Sequence, residues 1–450
     1  MELSLENTPT WAAATIFFVF IAIAYILVQF INFAGKWLRS HQKIALCEAV
    51  NKLKEELMIL GILSMVLAVV QRPVSHICVP VEAANHLLPC HKATLESGSS
   101  ESAGYCASRG KVSLMSPQGI HQLHMFIFVL AIVHVLCGVT TMILGRVKMS
   151  KWKAWEKETQ TTEYQVANDP NRFRFTRDTT FARRHVTPAA STTSIFMWIK
   201  CFFRQFYDSV NKVDYFALRH GFIMAHFSRH NSFNFQKYIN RSLEDDFKTV
   251  IRISPAMWFL VVIFMLVDVH GWYSYFWLSF CPLLIVLAVG TKLHVIVGKM
   301  AVQLDRQKKV ITGAPPVQPN DDFFWFGYPR LVLFLLQLTF FQNAFELTFF
   351  IWIWYEFGLK SCYHENFGIT IARVAVAIIV QFLCSYITLP MYALVTQMGS
   401  EFKRSMFEER TKSVLRRWHD DVRTKRKKQQ AARNPSSVSR RESDASSLPA

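Results

Sequence analysis

Four charged side chains sit inside stretches that are otherwise apolar: Asp268, Lys292, Glu346 and Arg373. A charge at the middle of a bilayer costs about 2.5–3.5 kcal/mol on insertion scales, so each should face a protein interior or a wet cavity. Their depths differ. Asp268 is close to one end of its stretch, Lys292 is near enough to the end of its own to snorkel, and Arg373 is one to two turns in. Glu346 is nearest the middle, within "FFQNAFEL", where Gln342 and Asn343 are polar as well. Gln342 precedes Glu346 by one helical turn, so the two share a face. Two chemistries fit. Glu346 and Asp268 offer hard carboxylate oxygens, which suit a divalent cation such as calcium moving along a path. Alternatively, Glu346 and Arg373 neutralise each other as a buried ion pair between neighbouring helices.

Other candidates carry less. His121 and His124 share a helix face, with His134 further along, but the first two fall at the edge of an apolar stretch, where polar groups cost little. His76, His86 and His91 lie near cysteines at spacings that match no standard zinc site. The chain has no P-loop, GxSxG or HExxH motif. We therefore read no catalytic residue, no metal site and no cofactor, and no nucleic-acid motif accompanies the positive charge.

A second kind of chemistry is written in "SVLRRWHDDVRTKRKK", Ser413–Lys428. On a helix Leu415, Trp418 and Val422 fall on one stripe, Val414 joins it one turn before Trp418, and Met406 and Phe407 extend it. Basic residues, among them Arg416, Arg417 and Arg423, cover the other faces, interrupted by Asp420 and Asp421. A solvated helix face does not explain Trp418. An anionic lipid surface or an enclosing acidic partner such as calmodulin does, and the pattern alone does not choose between them.

These residues must be positioned by membrane helices. The 450 residues include 38 Phe and 12 Trp, the mean hydropathy is +0.19, and the apolar residues come in blocks long enough to cross a bilayer, about 20 residues as helix. Spans are expected near 11–34, 57–71, 121–145, 254–271, 274–297, 331–357 and 368–396, the second being the shortest. The acidic start, with Glu2 and Glu6, leads into the first block, which we read as a retained helix rather than a cleaved signal. With residues 1–10 outside, the segments 35–56, 146–253, 298–330 and 397–450 are cytoplasmic and hold 43 of the 50 Lys and Arg residues. The expected fold is thus an all-α, seven-helix bundle with an external N-terminus, a large partly helical cytoplasmic loop at 146–253 and a cytoplasmic C-terminus. The last stretch, 429–450, is Ser-rich and is expected to be disordered; within it Arg440-Arg441-Glu442-Ser443 has the form of a basophilic kinase site. A homo-oligomer is compatible with this reading.

Cysteines agree with that sidedness. Cys78, Cys90, Cys106 and Cys362 are the four in external loops, an even set suited to disulfides. Three pairings are open, and any complete one ties a cysteine of the first external loop to Cys362. The sequon Asn240-Arg241-Ser242 falls on the cytoplasmic side and is expected to be unused, and Asn7-Thr8-Pro9 is blocked by its proline.

Seven spans with an external N-terminus suggest a G-protein-coupled receptor, but "GRVKMSKWKAWE" after the third span lacks the acidic-Arg-aromatic triplet. The blocks "TPTWAAATIFFVF", "HQLHMFIFVLAIVHV", "KVDYFALRHGFI", "SLEDDFKTVIRISPAMWF", "FFQNAFELTFFIW" and "ITLPMYALVTQMGS" resemble instead the plant MLO (mildew resistance locus O) family, in family order across residues 8–425. Arg252 departs from the small residue usual before "ISP", and an acidic-Phe-Ser/Thr-Phe element found near the end of some members is missing. The resemblance implies a multi-pass protein of the plasma membrane or endomembranes and a cytoplasmic calmodulin-binding segment at 397–428, which favours calmodulin as the partner of Trp418. It further implies calcium-permeable channel activity in calcium signalling, with roles in defence (powdery mildew susceptibility) or in pollen and root development. A non-conducting seven-helix receptor or scaffold that recruits calmodulin is the alternative.

Overall fold

The structure, a computed structural model, describes residues 10–40, 58, 61–67, 69–80, 106, 110–167, 173–175, 180–185, 194–207, 209–226, 233–267, 274–306, 310–312, 317, 321–358 and 367–398. Asp268, Cys90, Cys362 and the whole segment from Val414 to Arg423 fall outside these residues. So does the tail 429–450.

Helix dominates because backbone amides in hydrocarbon must be satisfied within their own segment. In chain order the helices are α1 (Thr10–Ser40), α2 (Gly61–Ser75), α3 (Pro117–Glu158), α4 (Thr162–Ala167), α5 (Thr180–His185), α6 (Ser194–Tyr207), α7 (Lys212–His226), α8 (Phe235–Val250), α9 (Pro255–Val267), α10 (Ser274–Arg306), α11 (Pro329–Phe357) and α12 (Phe367–Phe382). A π-helical stretch, Leu383–Thr388, carries α12 into α13 (Leu389–Val395). Among the described residues, four helices are long and apolar enough to cross a membrane: α3, α10, α11 and the run Gly368–Met398. The pair α8 and α9, bent by 49°, makes a fifth crossing if taken as one span.

Local sequence sets the starts and breaks. Ser116 caps α3, its hydroxyl accepting from the Gly119 amide at 3.0 Å, with Pro117 in the first turn. The 42 residues of α3 exceed what a bilayer needs, so its last turns project beyond it. Pro255 cannot continue α8 and opens α9 instead, which leaves carbonyls free at the break. His134 Nε2 reaches Ile251 O at 2.9 Å and Gln337 Nε2 donates to Arg252 O at 2.6 Å, so two polar residues of membrane helices satisfy the break. Pro390 has the same effect further on. Its ring would meet the carbonyl four residues back in an α-helix, and the backbone widens into the π stretch just before it.

Over the span expected at 254–271 the structure describes residues up to Val267. Its apolar helix α9 has 13 residues, about 20 Å, too short to cross alone. With α8 it makes the bent pair, and the buried side of α8 (Phe235, Ile239, Leu243, Val250) packs into the bundle. The 146–253 segment, expected as a large partly helical loop, carries helices packed on the bundle: α5 and α6 lie along α10, and α8 lies against α3, α11 and α13. The strand Phe173–Phe175 pairs antiparallel with Val310–Thr312, joining this segment to the one after α10.

The core at one end of the bundle is aromatic. Phe126 meets Phe345 and Trp352 edge-on at 5.7 and 5.3 Å, with Phe264, Phe341 and Phe349 around them. On that side the chain forms a short hairpin, Cys78–Val79 against Val112–Ser113, and Cys78 is disulfide-bonded to Cys106. Closing this loop contributes about 3–4 kcal/mol in the chain-entropy model.

Candidate functional site

Helix α11 reads as a nearly unbroken apolar run, yet its polar residues Gln337, Gln342, Asn343, Glu346 and Thr348 are all buried. The bundle, not lipid, surrounds them. At their head, Arg373 Nη2 donates to Glu346 Oε2 at 2.6 Å, and Arg373 Nε donates to Ser279 Oγ at 2.9 Å. This joins α11, α12 and α10 at one level. The guanidinium carbon also stands 5.9 Å from the centre of the Phe349 ring. Glu346, Phe349, Thr370 and Arg373 line a small cleft. Glu346 Oε1 is buried, and no donor among the described residues reaches it.

Below the ion pair the polar groups continue as a line. Asn343 Nδ2 donates to Gln381 Oε1 at 3.2 Å, and Gln381 Nε2 donates to Thr141 Oγ1 at 2.8 Å and to Cys137 O at 3.0 Å. Thr141 and Ser385 share a hydrogen bond of 2.9 Å, where the π stretch begins. Nearer the loop side, Gln397 accepts from Tyr238 Oη at 2.7 Å and donates to Ser242 Oγ at 2.7 Å. Such interhelical polar contacts hold helices together where burial from water cannot.

The structure thus brings Glu346 and Arg373 together and leaves Asp268 outside the described residues. Lys292 lies on α10. It is buried, and its ammonium lies 5.7 Å from the centre of the Trp325 ring. His134, considered as a ligand, instead binds the Ile251 carbonyl at the helix break.

Two clusters in the 146–253 segment escape sequence reading. Glu156, at the far end of α3, accepts from Tyr215 Oη at 2.8 Å, from Arg219 Nε at 2.9 and 3.1 Å, and from the Phe235 amide at 3.2 Å. The last places a carboxylate at the N-terminus of α8, where the helix dipole favours it. The second cluster joins His185, Arg204 and Asp214. Arg204 contacts His185 Nδ1 at 2.9 Å and Asp214 Oδ2 at 3.0 Å. A guanidinium only donates, so Nδ1 holds a lone pair and His185 is neutral, with its Nε2–H donating to Asp214 Oδ1 at 2.8 Å. Burial holds the imidazole below its ordinary value against the pull of Asp214. Burial raises the Asp214 carboxyl, but the hydrogen bond from His185 and the charge of Arg204 bring it below the usual range. Gln381 has a signal in the sequence, as an amide within the apolar run "AIIVQFL".

Long apolar helices around a buried polar line define a polytopic helical membrane protein. The chain belongs to the Mlo family, whose model matches residues 2–104 and 95–449. It is 54% identical over 439 residues to MLO-like protein 3 of Arabidopsis thaliana, covering 94% of this chain and 86% of that one. It is 47% identical over 463 residues to MLO-like protein 2 of the same plant, covering 95% and 81%. Protein MLO of Hordeum vulgare is 46% identical over 424 residues, covering 94% and 79%. No solved structure matches.

Proposed function

We propose that this member of the family is a calmodulin-regulated, calcium-permeable membrane protein with seven crossings, an external N-terminus and a cytosolic C-terminus. The observation that carries conduction is the buried polar line from Glu346 to Ser385, headed by a carboxylate oxygen with no protein donor among the described residues. A helix in hydrocarbon sheds such groups unless they are used. Helices α1 and α2 coincide with the first two apolar stretches, which supports the count of seven, and the distribution of Lys and Arg supports the orientation. Calmodulin binding rests on the stripe Val414, Leu415, Trp418, Val422 with Arg416, Arg417 and Arg423 around it. The membrane is the plasma membrane or an endomembrane, and the process is calcium signalling in defence or in pollen and root development.

The ion pair at 2.6 Å favours a second reading, in which Arg373 cancels Glu346 and the protein is a non-conducting scaffold that recruits calmodulin. Calcium entry recorded in a heterologous cell with and without the protein separates the two. A peptide of Met406–Lys428 should gain helix on meeting calcium-loaded calmodulin, with Trp418 fluorescence shifting to the blue. Loss of a buried aromatic anchor commonly costs about 2 kcal/mol or more, so Trp418→Arg should weaken binding at least about thirtyfold. Unchanged affinity would instead assign Trp418 to the membrane surface.

A further inference from the structure

Helix α6, "SIFMWIKCFFRQFY", is amphipathic the wrong way round for a cytoplasmic loop. Its inner side, with Cys201 and Gln205 buried, lies along α10. Its outer side shows Ile195, Ile199, Phe203 and Tyr207, which are 73%, 52%, 56% and 88% exposed and fall one above another at helical spacing. We infer that α6 is a membrane-embedded side helix, with the lipid chains and headgroups of the leaflet at the loop end of α10 as the partner of this outer face.

The packing on α10 fixes its level. Gln205 donates to Thr291 Oγ1 at 3.3 Å, and its amide oxygen occupies the space a side chain at Gly290 would need. At the other end, Met197 and Cys201 stand over Gly298, where a β-carbon would lie 3.7 Å from the methionine sulfur. The two helices therefore run antiparallel. The apolar stretch of α10 ends near residue 297, so Gln205 stands about 10 Å inside that end and Met197 at its edge. The C-terminal half of α6 is at the level of acyl chains and the N-terminal half at the level of headgroups.

Continuity with the lipid-facing surface selects lipid over a protein partner. Earlier in α10, Leu284 is 65% exposed on the bundle perimeter, whereas every residue from Val289 to Val297 is buried. At that level α6 covers the side that would otherwise meet lipid, and its own outer face takes that place. The charges agree. Arg204, on the deeper half, pairs with Asp214 instead of facing outward. Lys200, half-buried and nearer the edge, can reach the headgroups with its amine. This inference does not depend on conduction or on calmodulin.

The test is a photoreactive benzoylphenylalanine introduced in the full chain, reconstituted in vesicles of phosphatidylcholine and phosphatidylserine. It is placed singly at Phe203, at Leu284 as the lipid-facing control, and at Val166, which is exposed on α4. After irradiation, mass spectrometry should find lipid adducts at 203 and 284 and none at 166. Labelling at 284 without lipid at 203 overturns the inference. So does crosslinking of position 203 to a second copy or to added calmodulin. Should the variant at 203 not fold, Tyr207 takes its place with the same outcomes.

Discussion

Glu156 and Glu346 are the same residue type, both are 5% exposed, and both face an arginine. Their surroundings differ in valence. Both oxygens of Glu156 accept hydrogen bonds, drawn from α7 and from the start of α8. Glu346 holds Arg373 with Oε2 only, and Oε1 faces no donor among the described residues. A buried carboxylate with every lone pair engaged can only hold helices together. One with a lone pair to spare can also take a cation or a polar ligand, at a standing cost to stability. Burial and charge do not separate these cases, whereas hydrogen-bond valence does.

The largest effect should come from Glu156→Gln, which strands Arg219 in the packed 146–253 layer. Breaking a buried pair in this way costs about 3–5 kcal/mol, so melting temperature and surface level should both fall steeply. Glu346→Gln should cost less. Arg373 keeps Ser279 and the Phe349 ring, and its side chain is 15% exposed. A loss of about 1–3 kcal/mol is expected, the range for one unsatisfied buried group. Combining it with Arg373→Gln should return part of the surface level. Equal losses for the two glutamates would erase the distinction drawn between them.

The smallest effect concerns pH. In the folded protein His185 lies below its ordinary value of 6.5. The unfolded chain therefore takes up its proton first, so His185 contributes stability above about pH 6.5 and loses it as pH falls through that value. The wild-type melting temperature should drop between about pH 7 and about pH 5.5. In His185→Gln the amide can still donate to Asp214 and accept from Arg204, and the slope should be shallower. Some slope will remain from His220, which burial, with Arg219 beside it, pushes down to about 4. An unchanged slope would remove His185 from the titrating groups.

What the sequence reveals follows from contrast. Glu346 and Arg373 are conspicuous because they interrupt apolar stretches, and the family blocks fix the broad class. Glu156 is invisible within "KWKAWEKE", where it looks like any solvated charge, and only the packing of α7 and α8 makes it a hub. The packing of α8 into the bundle is hidden for a related reason: one face is apolar and the rest is charged, so hydropathy picks up only at "ISPAMWF". Cysteine counting leaves three pairings, and it takes the hairpin, with Cα atoms 5.5 Å apart, to select Cys78 with Cys106. The contact of Lys292 with Trp325 is not legible in the sequence because Trp325 lies in a different segment, after the end of α10.

The most direct test of conduction through the polar line is calcium flux into vesicles holding purified protein, wild type against Glu346→Gln combined with Arg373→Gln. The double variant leaves no stranded charge, so protein can be matched between the two samples. Flux should be present in the wild type and lost in the double variant at equal folded protein. Equal flux in both would remove Glu346 from the path, and no flux in the wild type, with or without calcium-loaded calmodulin, would leave the scaffold reading in its place.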